Sequence, residues 1–252
     1  MITKQQLEIY AKKKNYNLGQ AEKDYYQDII LFILYTNFKD KIVFKGGTAL
    51  TKCFGLDRFS EDLDFNAQDT DYTKIINKGL EEFYIDYELI QKKHANSIDL
   101  TYKIKGPLYN GQKNSICKIL IDLSLRETAK ETQLKKIGWN NEQIPVFDVI
   151  VMIEKEILSE KIRAILTRNK ARDLYDTNYL ITKGVTTTKT RINEKLLQHN
   201  KKFDLIEFEK KLDEKEKIWD SELKPIVKSY PKFNIVKKTI LTWIKTINKK
   251  SD

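Results

Sequence analysis

Residues 44–66 read FKGGTALTKCFGLDRFSEDLDFN and contain the features that decide the fold. A short apolar strand predicted over 42–44 runs into Gly46 and Gly47, and a helix is predicted over 48–54. Such a turn aims unpaired backbone N–H groups and the positive end of the helix dipole in one direction, which favours a phosphate group. Glycine also lets a ligand approach the backbone closely. Taken alone, a glycine pair is more often only a tight turn, so its meaning depends on its surroundings.

The acids of SEDLDF lie in a strand predicted over 58–66. Strand alternation puts Asp62 and Asp64 on one face, with Leu63 and Phe65 on the other. Aspartate is depleted in strands, and a solvated strand face is the simpler explanation for one such pair. Two carboxylates about 7 Å apart along a strand can also share a hard divalent cation. The nearby glycine pair favours this metal-binding interpretation.

A third acid interrupts the apolar run ICKILIDLSL at 116–125. Asp122 faces away from Ile121 and Leu123, and an isolated buried charge would be very costly. If this strand neighbours the one that carries Asp62 and Asp64, then Asp122 reaches the same cation. Three carboxylates suffice for a two-metal phosphoryl-transfer centre. In such a centre Asp122 is also the candidate general base, or the metal ligand beside one.

The pattern of elements changes character near residue 150. Further helices are predicted over 3–14, 20–37, 72–91, 153–168, 171–182, 189–201, 204–218 and 234–248, further strands over 97–105, 115–125 and 143–152, and a turn at WNN, 139–141. We therefore predict two domains. The first, 1–150, is mixed α/β, and the second, 151–252, is all helical.

Positive charge is concentrated in the last part of the chain. The net charge is +10, and residues 183–252 hold 18 Lys and Arg against 10 Asp and Glu, or +8. The remaining +2 is spread over the first 182 residues. A basic segment of this kind suits a polyanionic partner. A lysine-rich solvated face is an equally good explanation on charge alone.

Other classes of protein are not favoured by the composition. No apolar run approaches a membrane span or a secretory signal, so we expect a cytoplasmic protein without a membrane partner. Cys53 and Cys117 sit in apolar patterns without metal-type spacing and are expected to be reduced. His94 and His199 lie near no acid or serine motif in the sequence, so histidine-based catalysis is not expected.

The order of these motifs resembles a known enzyme superfamily. GG, a short helix, RFSEDLDF and a later aspartate-bearing strand look like the polymerase-β-type nucleotidyltransferase fold. Residues 44–65 are more closely similar to the AbiEii/AbiGii family, the toxins of bacterial abortive-infection toxin–antitoxin systems. LSEKIRAIL at 158–166 and ARDLYD at 171–176 resemble the Lys and RDxxD motifs of that family. The resemblance covers about 40–182, and residues beyond it match no motif.

The resemblance implies an α+β fold, a polymerase-β-like core of a mixed sheet flanked by helices, followed by an all-helical C-terminal domain. It implies Mg²⁺ or Mn²⁺ held by Asp62, Asp64 and Asp122. The phosphates of an NTP would lie against Gly46, Gly47 and Ser60.

Two residues of the helical part complete the predicted site. Lys161 falls within the apolar stripe of its helix, where it either extends to water or neutralises the triphosphate. Asp173 and Asp176 share a helix face. The family motif favours Asp173 as catalytic, orienting Lys161 or the acceptor, although an acid early in a helix also complements the helix dipole.

The expected function is transfer of a nucleotide from an NTP to an acceptor hydroxyl, with pyrophosphate leaving. The basic segment favours tRNA or another RNA as acceptor, and the family implies a toxin with a cognate antitoxin. Two alternatives stay open. One is a non-catalytic nucleotide- or RNA-binding module on the same fold, and the other is transfer to a protein or small-molecule acceptor.

Overall fold

The computed structural model describes residues 2–38, 41–68, 71–125, 129–138 and 144–249. The turn predicted at 139–141 lies outside these ranges. The chain divides into two compact units, Met1–Cys53 with Phe59–Met152, and Phe54–Arg58 with Ile153–Asp252. The second unit therefore begins two residues after the predicted boundary and also takes in a five-residue segment from the middle of the first.

The first unit is built on a seven-stranded mixed sheet. Its strands are β1 (Ile42–Lys45), β2 (Asp62–Ala67), β3 (Tyr87–Lys93), β4 (Ser97–Ile104), β5 (Cys117–Ser124), β6 (Thr132–Ile137) and β7 (Phe147–Met152). The order across the sheet is β3-β4-β5-β2-β1-β7-β6. The pairs β1–β7 and β2–β5 are parallel, and the other neighbours are antiparallel. The predicted mixed sheet flanked by helices is confirmed.

Four α-helices lie in the described residues of this part of the chain. They are α1 (Lys4–Lys14), α2 (Leu18–Phe38), α3 (Gly46–Phe54) and α4 (Tyr72–Glu82). Helix α2 is apolar enough to be buried along most of its length, and it packs against β5 and β7. The strand residues that form the core are fully buried, such as Phe44, Phe65 and Ile121. The alternate residues of the same strands make a second, more exposed sheet face, and the acids lie on that face.

One predicted helix of this unit is too long, and two strands were not predicted. The helix predicted over 72–91 ends at Glu82, because Tyr84 takes a positive φ of 54° that a helix cannot continue through. Tyr87–Lys93 is instead the edge strand β3. Its residues are mostly exposed, which removes the apolar alternation that would reveal a strand. Strand β6 was missed for the same reason.

The second unit contains six α-helices within its described residues. They are α5 (Glu154–Thr167), α6 (Arg172–Thr182), α7 (Lys189–Leu197), α8 (Leu205–Glu214), α9 (Trp219–Leu223) and α10 (Phe233–Lys249). Helix α5 packs against α6, α7 and α8, and α10 packs against α6. The prediction of an all-helical C-terminal part is confirmed. Among the helices that the structure describes, none is long and apolar enough to cross a membrane.

Candidate active site

The predicted acids come together on one face of the sheet. Strand β2 pairs in parallel with β5, and in this register Asp64 is the partner of Asp122. The prediction that the strand of Asp122 neighbours the strand of Asp62 and Asp64 is therefore confirmed. Asp62 and Asp64 are partly exposed, and Asp122 is exposed. All three carboxylates thus share a side of the sheet that is open to solvent within this unit.

The environment of Asp122 differs from the one predicted. We expected a buried charge that required a partner, but Asp122 lies on the exposed side of a strand whose other side is fully buried. Its apolar neighbour Leu120 is also 41% exposed. The energetic penalty at this position comes instead from placing like charges directly opposite each other on paired strands, which is destabilising. Such a pair indicates a function that needs both carboxylates.

A fourth acid, Asp99, was missed from the sequence. Antiparallel pairing of β4 with β5 makes it the register partner of Asp122, so acids occupy one row across β4, β5 and β2. The alternation of SIDLTYKIK was itself a usable signal, because it sets Asp99 on the polar face. His94 Nε2 lies 3.0 Å from Asp99 Oδ2, and both side chains are about half exposed. The expectation that no histidine lies near an acid is therefore wrong for His94.

The glycine pair opens helix α3 directly. The helix begins at Gly46, two residues earlier than predicted, immediately after β1. Gly46 has a φ of +77° and Asp64 packs against it, so a Cβ built there would lie 2.1 Å from Asp64 Oδ2. Positive φ and close approach are both conditions that favour glycine. The first backbone positions of α3 and the carboxylate of Asp64 are therefore in immediate contact.

Buried polar contacts hold α3 and the start of β2 in place. Lys52 on α3 pairs with Asp24 at 2.6 Å and with Asp28 at 2.7 Å, both on α2. The Lys52 side chain is only 4% exposed, so it anchors the helix. Thr48 donates a hydrogen bond to the carbonyl of Asp62. These contacts fix the helix that begins with the glycine pair against the strand that begins with Asp62.

Ser60, predicted to contact phosphate, lies in the segment before β2. Its residue is 9% exposed, and its carbonyl accepts a hydrogen bond from Gln27 Nε2 at 3.0 Å. Gln27 also donates to the carbonyl of Glu61 at 2.9 Å. The segment that leads into Asp62 is thus held by its backbone, which explains why β2 starts at Asp62 and not at the predicted residue 58.

Lys161 lies in a buried ion cluster of the helical unit. Its ammonium group is 3.0 Å from Asp173 and 2.7 Å from Asp176. Arg168 binds Asp173 through two nitrogens, at 2.8 and 2.9 Å. Arg58 does the same to Asp176, at 2.6 and 2.8 Å. Lys161 is 6% exposed, so it does not extend to water, and the predicted contact with Asp173 is present.

The electrostatics of this cluster keep both carboxylates charged. Burial alone would raise the pKa of Asp173, but Lys161 and Arg168 outweigh it and hold that pKa well below its usual range. Burial would also raise the pKa of Asp176, but Arg58 and Lys161 outweigh this effect and the pKa is lowered. Asp173 and Asp176 lie on one face of α6 because they are three residues apart. This spacing lets the two carboxylates of the RDLYD segment share three cations.

The carboxylates of Asp62, Asp64 and Asp122 are suitable ligands for a divalent cation, although their oxygens do not surround one point. Across the residues with described positions, no three His, Cys, Asp or Glu side chains lie close enough to hold a metal ion. Asp64 and Asp122 stand on strands about 4.8 Å apart. Side-chain rotation would therefore bring their oxygens onto one cation without any change of backbone. Carboxylate oxygens are the ligands that Mg²⁺ prefers.

The fold is that of known nucleotidyltransferases. The nucleotidyltransferase toxin MenT4 from Mycobacterium tuberculosis H37Rv matches with a TM-score of 0.58 and 19% identity, over 81% of this chain and 75% of its own. JHP933 from Helicobacter pylori matches with a TM-score of 0.54 and 20% identity, over 92% of each chain. Among curated proteins, no relative matches.

The chain belongs to the AbiEii family. The model of this family, described as nucleotidyl transferase AbiEii toxin of a type IV toxin–antitoxin system, matches residues 30–238. The protein is therefore a nucleotidyltransferase of a toxin family, and the predicted family and enzyme class are confirmed. The match also extends past residue 182, where the sequence motifs end.

Proposed function

We propose that this enzyme transfers a nucleotide from an NTP to a hydroxyl group of RNA, with tRNA as the favoured acceptor, and that it uses Mg²⁺ or Mn²⁺. The single observation that carries the proposal is the pairing of Asp64 with Asp122, beside a helix that opens with two glycines. Three acids on one sheet face, next to backbone donors, supply both requirements of phosphoryl transfer, charge neutralisation and positioning.

The phosphates of the NTP are proposed to lie at the start of α3. The first N–H groups of a helix have no partner within the helix, and they lie at the positive end of the helix dipole. Gly46 and Gly47 have no side chains that would keep a ligand from that backbone. Ser60 is proposed to assist with its hydroxyl group, which lies in the segment that Gln27 holds in place.

The three acids are proposed to hold the metal and to manage the proton. A divalent ion bound by Asp62, Asp64 and Asp122 would neutralise phosphate charge and activate the acceptor hydroxyl. The hydroxyl oxygen forms a bond to the α-phosphorus, the bond between that phosphorus and the bridging oxygen breaks, and pyrophosphate leaves. Asp122, the most exposed of the three, is proposed to take the hydroxyl proton.

Lys161 and Asp173 are proposed to act together. The family motif suggested that Lys161 neutralises phosphate charge and that Asp173 orients it. Lys161 is bonded to Asp173 and Asp176 within the helical unit, so its contribution to catalysis includes fixing α5 against α6. A direct role at a phosphate would require it to exchange one carboxylate partner.

The choice of RNA as acceptor rests on charge. Residues 183–252 carry +8, from 18 basic and 10 acidic residues. Binding that depends on phosphate contacts should weaken steeply as salt is raised. A cognate antitoxin is a further part of the proposal, and the description of the family as one of a toxin–antitoxin system supports it. A role in abortive infection and a cytoplasmic site of action are also proposed, from the sequence resemblance and the composition.

Labelled NTP incubated with total tRNA and Mg²⁺ tests the proposal. We expect label in the tRNA with the wild-type enzyme and none with Asp62→Ala. Equal labelling by both proteins would contradict it. Label found in protein, with no sensitivity to salt, would instead identify a protein acceptor. In cells, expression without an antitoxin should stop growth, and Asp62→Ala should relieve that arrest.

A further inference from the structure

A second polar feature lies on the sheet beyond the acids. A pocket of about 260 Å³ lies at the far end of β2, and its lining includes Val43, Asn66, Ala67 and Ile150. Asn66 is 3% exposed. Among the described residues, neither the oxygen nor the nitrogen of its side-chain amide has a hydrogen-bond partner. All the residues of this pocket belong to the unit that carries the acids.

An unpaired buried amide of this kind needs an explanation. The large majority of buried side-chain polar atoms in proteins are hydrogen-bonded, since burial without a partner is unfavourable. The pocket is larger than one structural water, which fills about 30 Å³. The pocket is also smaller than the roughly 300–1,000 Å³ of sites that enclose drug-sized ligands. Its size suits a single ring system and not a whole nucleotide.

The position of Asn66 relates the pocket to the acids. Asp62, Asp64 and Asn66 alternate along β2, so they share one sheet face. Asn66 follows Asp64 by about 7 Å along the strand. Strand β1 runs antiparallel to β2, and Lys45 pairs with Asp64, so Gly46 lies toward Asp62. The glycine pair and the pocket are therefore on opposite sides of Asp64.

We propose that this pocket binds a nucleobase by its edge, with Asn66 as the residue that recognises it. This proposal rests on the function proposed above. A carboxamide presents one donor beside one acceptor, which is the pattern that Asn and Gln use to read a base edge through two hydrogen bonds. The aliphatic side chains of Val43, Ala67 and Ile150 supply the apolar surface that a planar ring requires.

The base could belong to the NTP or to the acceptor. In-line transfer puts the attacking oxygen opposite the leaving pyrophosphate. Pyrophosphate is proposed to leave on the glycine side, and the pocket is on the other side of Asp64. This geometry points to a base of the acceptor, and the experiment below distinguishes it from the base of the NTP.

Binding of free nucleosides tests whether the pocket recognises a base. This measurement requires no metal ion, phosphate group or catalysis. Adenosine, guanosine, cytidine and uridine are each titrated into the full chain by ligand-observed NMR. We expect one of them to bind best, and Asn66→Leu to weaken that binding about five- to a hundredfold, the range expected for one two-bond contact.

A matched variant separates recognition from folding. Asn77 on α4 accepts a hydrogen bond from Tyr102 at 2.9 Å, so Asn77→Leu removes a partnered amide. We expect Asn77→Leu to lower the Tm and to bind nucleosides as the wild type does. Asn66→Leu should keep or raise the Tm, because the amide that it removes has no hydrogen-bond partner in the described part of the chain. Failure of every nucleoside to bind, or unchanged binding by Asn66→Leu, would overturn the proposal.

Transfer assays then identify the source of the base. Loss of discrimination by Asn66→Leu among four NTPs, with one RNA, would assign the pocket to the NTP. Loss of discrimination among RNAs that differ only in the terminal base would assign it to the acceptor. If the wild type binds a nucleoside through Asn66 but transfers nothing to RNA, then the pocket stands and the proposed acceptor falls.

Discussion

The carboxylate of Asp64 occupies the space that a side chain on Gly46 would need. A Cβ at Gly46 would fall 2.1 Å from Asp64 Oδ2, and the backbone there has a φ of +77°. Glycine is therefore required at this position for two reasons, its conformation and its closeness to the acid. The start of the proposed phosphate site and the second acid of the proposed metal site are one packed unit.

Gly46→Ala should displace Asp64 and reduce transfer. A misplacement of about 1 Å can reduce the rate about a hundredfold, and we expect a loss of that order in kcat/KM. Gly111→Ala is the matched control, because Gly111 also has a positive φ, of 90°, but nothing lies within 4 Å of its Cβ position. An equal loss of activity in both variants would show that backbone strain is responsible and not the contact with Asp64.

Asp122→Asn should remove activity and leave the fold intact. Asp122 is exposed, so the unfolding free energy should change by less than about 0.5 kcal/mol. Losing a residue that orients a metal ligand typically lowers affinity or activity 10–100-fold, so loss of a ligand should lower transfer by at least about 100-fold. Asp86→Asn, at an exposed loop position, should keep wild-type activity. Full activity of Asp122→Asn would remove Asp122 from the site.

Lys52→Met should destabilise the first unit. It removes the ammonium group that bonds both Asp24 and Asp28 and leaves Asp24 with the more distant Lys14, at 3.8 Å. Breaking a buried pair in this way costs about 3–5 kcal/mol. Burial already raises the pKa of Asp28 in spite of Lys52. Without Lys52 the folded state would bind protons more readily than the unfolded state, so the variant should lose further stability as pH rises.

Urea unfolding at several pH values measures this effect. Lys78→Met is the control, since Lys78 is 73% exposed and pairs with Glu82 across one helix turn. Its change should stay within about 0.5 kcal/mol. A Lys52→Met variant as stable as the control at neutral pH would show that the buried pair does not anchor α3.

Acid should weaken the helical unit through Asp173. The pKa of Asp173 is lowered in the folded state, while an unfolded aspartate has a pKa of about 3.9. The unfolded state therefore binds more protons as pH falls below about 4, and stability is lost in that range. Asp173→Asn should flatten this pH dependence and cost about 3–5 kcal/mol at neutral pH.

The matched control for this experiment is Asp213→Asn. Asp213 is half-exposed and pairs with Lys237 on the surface, so its removal should change stability by less than about 1 kcal/mol. Thermal unfolding at a series of acidic pH values measures both variants. An acid-unfolding profile of Asp173→Asn that matches the wild type would contradict the assignment.

The local pattern of the sequence was enough to predict the acids of the site and their strand neighbours. Alternation put Asp62 with Asp64, and an interrupted apolar run marked Asp122. The edge strands β3 and β6 were missed because their residues are mostly exposed and lack the apolar alternation of central strands. Local periodicity reports burial, so it fails where a strand buries little.

Relationships between distant residues were the other part that the sequence did not reveal. Arg58 is the first residue of the strand predicted for the acids, but it pairs with Asp176, 118 residues away. Lys52 lies close to the glycine pair in the chain, and its side chain is bonded to Asp24 on α2. Side-chain partners of this kind depend on tertiary packing, which no single stretch encodes. Asn66 was overlooked because an asparagine at a strand end suggests only a turn.

The most direct test of the central claim follows the fate of each phosphorus atom of the NTP. NTP labelled at the α-phosphorus or at the γ-phosphorus is incubated with tRNA and Mg²⁺, using wild type and Asp64→Asn. We predict that α-label enters the RNA and γ-label leaves as pyrophosphate, and that EDTA or Asp64→Asn abolishes both. Transfer of the γ-label to RNA, or α-label transfer that is unchanged in Asp64→Asn, would contradict the account.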